Sequence, residues 1–181
     1  MALTITSKDG VHELSGDVDA SIRAVWDVLS ETDRINHVIF DLPAVDVIER
    51  GVTNTRAKIS VSGFDLEFDE QPWSWDAPHG YKNVRVFIGG PIERLENSVV
   101  LTEAGAQTHV KYVVILKTKG LTGFAVDKVM NPRISRGLAE LQGLLEHTSG
   151  PQRAVWKNPE RDRVLAAAAP FAARLADNPL V

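Results

Sequence analysis

The chain has 181 residues, of which 44% are apolar and 24% are charged, and its formal net charge is −4. These values are typical of one globular domain with room for a short appendage. The absence of cysteine excludes disulfides, thiolate nucleophiles and cysteine-based metal centres, and the slight excess of acid argues against a nucleic-acid partner. No apolar run reaches the roughly 20 residues that cross a bilayer, and the N-terminus lacks a signal pattern. We therefore expect a cytoplasmic location and no transmembrane segment.

The first elements predicted along the chain are a strand at 11–18 and a helix at 21–30. The helix is indicated by apolar residues at steps of three and four, namely Ile22, Val25, Trp26 and Leu29. Asp19 or Ser21 can cap its start, and Thr32 can cap a second, shorter helix.

A strand predicted at 45–49 ends in a hairpin turn at 51–54, and the run 55–68 that follows alternates in two phases. The first phase contains Ala57, Ile59 and Val61, and the second contains Phe64, Leu66 and Phe68. Because the phase changes at Ser62-Gly63, the sequence predicts a bulge or a tight turn there.

Residues 64–92 are the most informative segment, because two aromatic-rich strand patterns lie on either side of a turn. Phe64, Leu66 and Phe68 alternate with Asp65, Glu67 and Asp69, and Val84, Val86 and Ile88 alternate with Asn83, Arg85 and Phe87. A period of two places like residues on one face of a sheet, so the first set of each pair is expected to form a broad apolar face. Arg85 should then point to solvent or to an acidic neighbour, unless a bulge turns it inward to meet an anionic ligand group.

Two more strands are predicted near 96–102 and 108–117, after which the pattern becomes that of a helix ending near His147. Its apolar stripe contains Val126, Val129, Met130, Ile134, Leu138, Leu141 and Leu145. Pro132 either kinks one long helix or follows a cap at Asn131. Runs of consecutive strands before a long helix indicate an α+β fold, with a curved antiparallel sheet of about six or seven strands around that helix.

A boundary is predicted at Ser149-Gly150-Pro151, which divides the chain into a domain at 1–149 and an extension at 150–181. The extension is rich in alanine and is expected to be helical over 160–176. The chain stops on two apolar residues without a polar tail, so we expect the natural protein to continue.

The order of these elements over 11–147 resembles that of the SRPBCC superfamily, which includes START domains, the birch-pollen-allergen fold and polyketide cyclases. The resemblance implies a helix-grip fold, in which a curved sheet wraps the C-terminal helix around an internal cavity. The cavity is thus an expectation from the resemblance.

Several short motifs carry a narrower resemblance: Val25-Trp-Asp-Val-Leu-Ser30, Glu31-Thr-Asp-Arg-Ile-Asn36, Leu42-Pro43, Glu70-Gln-Pro-Trp-Ser-Trp75, Tyr81, Arg85, Gly90-Pro91 and Asp177-Asn-Pro-Leu-Val181. They are similar to the N-terminal module of bacterial class III adenylate/guanylate cyclases. The resemblance implies a sensor or interaction domain that is covalently attached to a cyclase, whose catalytic residues lie outside this chain.

No residue pattern in the sequence is typical of catalysis or metal binding. The five histidines lack the HxxxH and HxH spacings of metal sites. The carboxylates of 65–70 are expected on a solvated sheet face, and 89–94 lacks both phosphate-loop patterns. We therefore predict no catalytic residues, no metal and no cofactor.

The residues expected to line a ligand pocket are mostly apolar, as is usual for small-molecule sites. They are Phe64, Phe68, Trp73, Trp75, Arg85, Val86, Ile88, Met130, Ile134 and Leu138. The simpler interpretation is that these residues only pack a core.

Three functions are compatible with the sequence. The first is a non-catalytic module that binds a hydrophobic small molecule or lipid and regulates an attached cyclase by favouring one arrangement of the last helix. The second is a polyketide cyclase or aromatase that uses the same cavity, for which Arg85, Asn83, Tyr112 or His109 would have to point inward. The third is a protein-interaction domain with a filled core, which docks through apolar residues of 164–181.

Overall fold

The computed structural model of the chain describes residues 3–40, 45–51, 53–61 and 64–148. The described residues form nine strands and three helices. These are β1 (Thr4–Lys8), β2 (Val11–Val18), α1 (Ile22–Leu29), α2 (Thr32–Phe40), β3 (Asp46–Arg50), β4 (Thr55–Val61), β5 (Phe64–Glu70), β6 (Ser74–Asp76), β7 (Gly80–Ile88), β8 (Ile92–Ala104), β9 (Gln107–Thr118) and α3 (Gly120–Thr148).

All of these strands belong to one antiparallel sheet with the order β1-β2-β9-β8-β7-β5-β4-β3, and β6 pairs with β7. The sheet curves, and the long helix α3 follows it, so the predicted α+β helix-grip fold is confirmed. The expected six or seven strands are too few for the described residues. Strand β1 was missed because its sequence TITSK lacks an apolar alternation, and β6 was missed because it has only 3 residues.

The predicted cap of the first short helix is confirmed at Ser21. The hydroxyl of Ser21 accepts a hydrogen bond from the backbone N–H of Ala24 at 3.3 Å, which caps α1. Helix α1 buries the predicted apolar stripe. Helix α2 includes Thr32 as its first residue, so Thr32 is not its cap, and the first helical hydrogen bond goes from the N–H of Ile35 to the carbonyl of Glu31.

The run 55–68 contains two strands of a hairpin. Val61 pairs with Phe64, and the register continues to Thr55 opposite Glu70. The two phases therefore belong to two paired strands and not to one continuous strand. The predicted bulge or turn at residues 62–63 lies outside the described part of the chain.

Helix α3 is one continuous helix that contains Pro132, so Asn131 is not the cap of a separate helix. It buries Ile134, Leu138, Leu141 and Leu145, and it packs mainly against α2 and against β1, β2 and β9. Val129 is exposed, contrary to its assignment to the apolar stripe, whereas Val126 and Met130 are partly buried and pack against the core. The predicted boundary at 149–151, the extension and its helix lie outside the described residues.

Candidate functional site

The prediction of which β7 side chains are buried is correct at Val84 and wrong for the rest of the strand. Asn83, Arg85 and Phe87 are buried, whereas Val86 and Ile88 are 38% and 42% exposed. The register with β5 explains this, because it places Phe87 opposite Phe68 and Arg85 opposite Glu70. Val86 and Ile88 therefore lie on the outer face of the sheet and not on the buried face, where the pocket was expected.

Arg85 is held inside the molecule by a carboxylate and an aromatic ring. Its Nε donates a hydrogen bond to Oε1 of Glu70 at 2.9 Å, and its guanidinium lies 5.2 Å from the centre of the Phe68 ring. The Arg85 side chain is 4% exposed and that of Glu70 is 21% exposed. The prediction that Arg85 points to solvent is wrong, but the prediction of an acidic neighbour is confirmed.

A row of side chains crosses the buried face of four neighbouring strands. His12 on β2 is opposite Val114 on β9, which is opposite Asn97 on β8, which is opposite Asn83 on β7. Asn83 and Asn97 are buried, although Asn is usually exposed. This row places polar amides in the middle of an otherwise apolar face.

Some atoms of this polar group have no hydrogen-bond partner among the described residues. They are both Oδ1 and Nδ2 of Asn83, Oδ1 of Asn97 and Nη1 of Arg85. Because both amide atoms of Asn83 are unpaired, turning the amide around does not satisfy it. We call Asn83, Asn97 and Arg85 the interior polar cluster.

The next row along the sheet carries two buried tyrosines. Tyr112 is opposite Val99, which is opposite Tyr81, and the two phenol groups are hydrogen-bonded to each other. Burial raises the pKa of Tyr81 well above its ordinary value, and burial together with the adjacent Tyr81 raises the pKa of Tyr112. Both phenols therefore remain protonated at physiological pH.

Aromatic rings from α1, β6, β7 and the residue just before β6 form a cluster at one end of this row. The rings of Trp73 and Trp75 are stacked with their centres 5.3 Å apart, and Tyr81 lies 5.1 Å from Trp75. Trp26 meets Trp75 edge to face at 5.8 Å. Trp75 is 49% exposed, so the cluster reaches from the core to the surface.

Sequence reasoning missed His12, which connects the sheet to α3. Its Nδ1 is 2.8 Å from the hydroxyl of Ser7, and its Nε2 is 3.0 Å from Oδ1 of Asn131 on α3. Because Asn131 can only accept at this oxygen, Nε2 carries the proton and Nδ1 accepts from Ser7. Burial lowers the pKa of His12. Its position after Val11 in the first predicted strand carried no signal of this contact.

The other predicted lining residues are mostly in the core. Phe68, Ile134 and Leu138 are fully buried, and Trp73 and Met130 are partly buried and pack against the core. The side chain of Phe64 lies outside the described part of the structure.

The polar residues named for an enzyme divide into two groups. Asn83, Arg85 and Tyr112 are buried. His109 is about half exposed and lies 2.7 Å from the carboxylate of Asp17, so it does not reach the interior.

A groove of about 540 Å³ lies on the outer surface and is separate from the polar cluster. It is lined by Thr53, Asn54, Asp69, Gln71, Pro72 and Val86. Asp69 and Val86 alternate with the buried Phe68 and Phe87, so the groove is on the opposite side of the sheet. It is open to solvent and brings no buried polar group together.

Two kinds of feature are absent from the described ranges. No group of three or more histidine, aspartate or glutamate side chains is arranged to hold a metal ion there. None of the described helices combines the length and the apolar character that a membrane span requires.

No family model and no curated protein matches the chain, but its fold matches solved structures. The Zhui aromatase/cyclase from a Streptomyces species superposes with a TM-score of 0.55 and 15% identity, over 80% of this chain and 98% of that one. A START superfamily protein from Mycobacterium smegmatis superposes with a TM-score of 0.51 and 14% identity, over 76% of this chain and 97% of that one. A conserved protein from Geobacillus kaustophilus has a TM-score of 0.51 and 17% identity, over 77% of this chain and 97% of that one. At these identities the likeness concerns the fold alone, and the chain has an α+β helix-grip-like fold.

Proposed function

We propose that this chain is a non-catalytic module that binds a hydrophobic or lipid-like small molecule between its sheet and α3. The observation that carries the proposal is the interior polar cluster, whose buried atoms lack partners among the described residues. A buried polar group without a partner costs about 1–3 kcal/mol of stability. A bound molecule that supplies the missing hydrogen bonds gives these residues a purpose that core packing does not.

The placement of α3 supports a site at this position. The main sheet contacts of α3 are with β1, β2 and β9, whereas the polar cluster lies on β7 and β8. The aromatic cluster, which includes the half-exposed Trp75, lies beside the polar cluster on β6 and β7. The arrangement offers an apolar interior with a few polar groups, which is the usual composition of a small-molecule site.

The chemistry of the buried groups favours binding over catalysis. Tyr81 and Tyr112 have raised pKa values and are poor proton donors and acceptors near neutral pH. The positive charge of Arg85 is balanced by Glu70, and His12 is engaged at both ring nitrogens. The described interior thus lacks a free acid or base with a pKa close to 7.

One observation favours an enzyme as the second candidate. Asn83, Arg85 and Tyr112 are buried, as an aromatase/cyclase-type reaction at the proposed interior site would require. The Zhui aromatase/cyclase shares the fold with a TM-score of 0.55. Incubation with a linear poly-β-carbonyl thioester tests this alternative, and a cyclised product above the uncatalysed background would favour it over simple binding.

A docking role is the third candidate, and it is favoured by exposed apolar residues at the start of α3. Leu121 is 95% exposed, and Phe124 lies nearby with Lys128 above its ring at 4.5 Å. Such a role requires a filled core, and retention of a small molecule inside the protein would argue against it.

We further propose that the module regulates an adenylate/guanylate cyclase attached to it in the natural protein. The support is the group of sequence motifs at 25–43, 70–75 and 81–91 and at the end of the chain. The test is to detect the natural polypeptide in its own host with an antibody against residues 3–148. A polypeptide of the size of this chain alone, without a cyclase, would contradict this part of the proposal.

The binding proposal is tested by native mass spectrometry of the chain purified from its own host. We expect a retained compound of small-molecule mass, and a rise in the thermal midpoint when hydrophobic probes are added to the stripped protein. If no compound is retained and no probe shifts the thermal midpoint, the proposal is overturned.

A further inference from the structure

We infer that the ligand ends in an uncharged polar group that both donates and accepts hydrogen bonds, such as a carboxamide or a hydroxyl beside a carbonyl. This inference rests on the proposed binding function and adds the chemical class of the ligand. It excludes fatty acids and phospholipid head groups as the part of the ligand that meets the interior polar cluster.

The charge balance of the site argues against an anionic ligand. Arg85 is the one buried cation among the described residues, apart from His12, whose lowered pKa keeps it neutral. The carboxylate of Glu70 already lies 2.9 Å from the Arg85 guanidinium. A carboxylate or phosphate that approached Nη1 would therefore meet a second negative charge in a poorly solvated space.

The unpaired atoms require a ligand with both hydrogen-bonding roles. Nη1 of Arg85 and Nδ2 of Asn83 can only donate, and they need an acceptor. Oδ1 of Asn97 and Oδ1 of Asn83 can only accept, and they need a donor. An ionised acid, an ester or a ketone offers acceptors alone and would leave the amide oxygens unpaired.

The spacing of the cluster suits one small polar group. Asn83 and Asn97 are directly opposite each other on β7 and β8, which places their Cβ atoms about 5 Å apart. Arg85 lies two residues further along the same face, at about 7 Å. Tyr81 lies two residues away in the other direction and leads to the aromatic cluster, where an apolar or aromatic ligand body can pack.

The test compares three probes of one chain length that differ only at the polar end: decanamide, decanoate and methyl decanoate. Each is titrated by calorimetry into the full chain, stripped of retained compounds, at pH 7.5. We expect decanamide to bind at least about tenfold more tightly than either other probe, because one to two net hydrogen bonds distinguish them.

Variants assign the preference to the cluster. In Asn83→Leu we expect the amide preference to fall to about threefold or less, while the thermal midpoint rises because an unpaired buried amide is removed. In Glu70→Gln the Arg85 charge is no longer balanced, so decanoate should gain at least about tenfold relative to decanamide. Glu67→Gln is the matched control, since Glu67 is paired with Arg56 at 2.9 Å on the exposed face.

The outcomes separate this inference from the proposed function. Tighter binding of decanoate by the unmodified chain would overturn the inference and leave the binding function in place. The same holds if none of the three probes binds while a hydrophobic dye or a retained compound does. If nothing binds at all, both fail. An amide preference that survives in Asn83→Leu and in Asn97→Leu would overturn the assignment to the cluster, whose unpaired atoms would then hold water only.

Discussion

At the scale of single residues, the buried polar side chains of this protein have different partners and therefore different consequences. Both ring nitrogens of His12 are hydrogen-bonded, and Arg85 is hydrogen-bonded through Nε but not through Nη1. The side-chain amide of Asn83 has no hydrogen-bond partner among the described residues. A paired group stabilises the fold, whereas an unpaired group stabilises the fold only when something else binds it.

His12 makes stability depend on pH. Burial lowers its pKa in the folded protein, so the unfolded chain, with an ordinary value near 6.5, takes up the proton first as the pH falls. The unfolded state then binds more protons, and we expect the free energy of unfolding to decrease as the pH falls below about 6.5. Urea titrations between pH 7.5 and 5 measure this slope.

In the His12→Asn variant, the free energy of unfolding should depend less on pH than in the unmodified chain. The control variant His79→Asn, at an exposed position, should keep the pH dependence of the unmodified chain. Equal slopes for His12→Asn and the unmodified chain would show that His12 does not titrate as described.

The Arg85–Glu70 pair should contribute more to stability than an exposed pair of the same length. Replacing Glu70 by Gln weakens the partner of a buried guanidinium, and we expect a loss of about 1–3 kcal/mol in the free energy of unfolding. Glu67→Gln breaks a pair that also measures 2.9 Å but lies in solvent, and it should leave the stability near that of the unmodified chain. Equal losses in chemical denaturation would contradict the burial of Arg85.

At the scale of elements, the contact between α2 and α3 depends on one glycine. A Cβ atom at Gly137 would lie too close to the backbone of Ile39 and 2.7 Å from the carbonyl oxygen of Val38. The two helices therefore approach each other at this position more closely than any side chain allows.

We expect Gly137→Ala to destabilise the protein by at least about 2 kcal/mol, because backbone atoms of α2 must move. Gly143→Ala is the matched control on the same helix, since no atom lies within 4 Å of its added Cβ. This control should be neutral or more stable by up to about 1 kcal/mol, because Ala favours the helix. Denaturant midpoints of both variants give the comparison, and a neutral Gly137→Ala would show that the helices lie further apart.

The strands show how far the sequence predicts an element. The period of two identified β5 and β7 and the turn between them, and for β5 the apolar set is the buried one, as Phe68 shows. For β7 the same rule selected the wrong face. Alternation defines two faces, but which face is buried depends on the neighbouring strand, and here Glu70 and Phe68 provide partners for Arg85 and Phe87.

At the scale of the whole molecule, we predict that the domain is complete within residues 1–148. The buried apolar residues of the described part form one cluster that extends from Leu3 on the N-terminal side to Leu145 on α3. A chain that ends at Thr148 should therefore fold, with a thermal midpoint within a few degrees of the full chain, and should bind the same probes. Calorimetry of the two chains checks this, and a fall of more than about 5 °C would show that the extension contributes to the core.

The sequence by itself determined the class of the fold, because periodicity and capping are local properties. The change from period two to period 3.6 located α3, and Ser21 and Thr32 located the short helices. The order of the predicted elements over 11–147 also indicated a START-like fold. These predictions depend on residues within a few positions of each other.

Only the tertiary structure decided which side chains are inside. His12 and Asn131 are 119 residues apart in the chain, and their hydrogen bond depends on how α3 crosses the sheet. The position of Asn83 opposite Asn97 on the neighbouring strand depends on strand register, and so does the burial of Arg85 beside Glu70. Register results from the packing of the whole sheet and not from local pattern, so the candidate site became visible only after the strands were assembled.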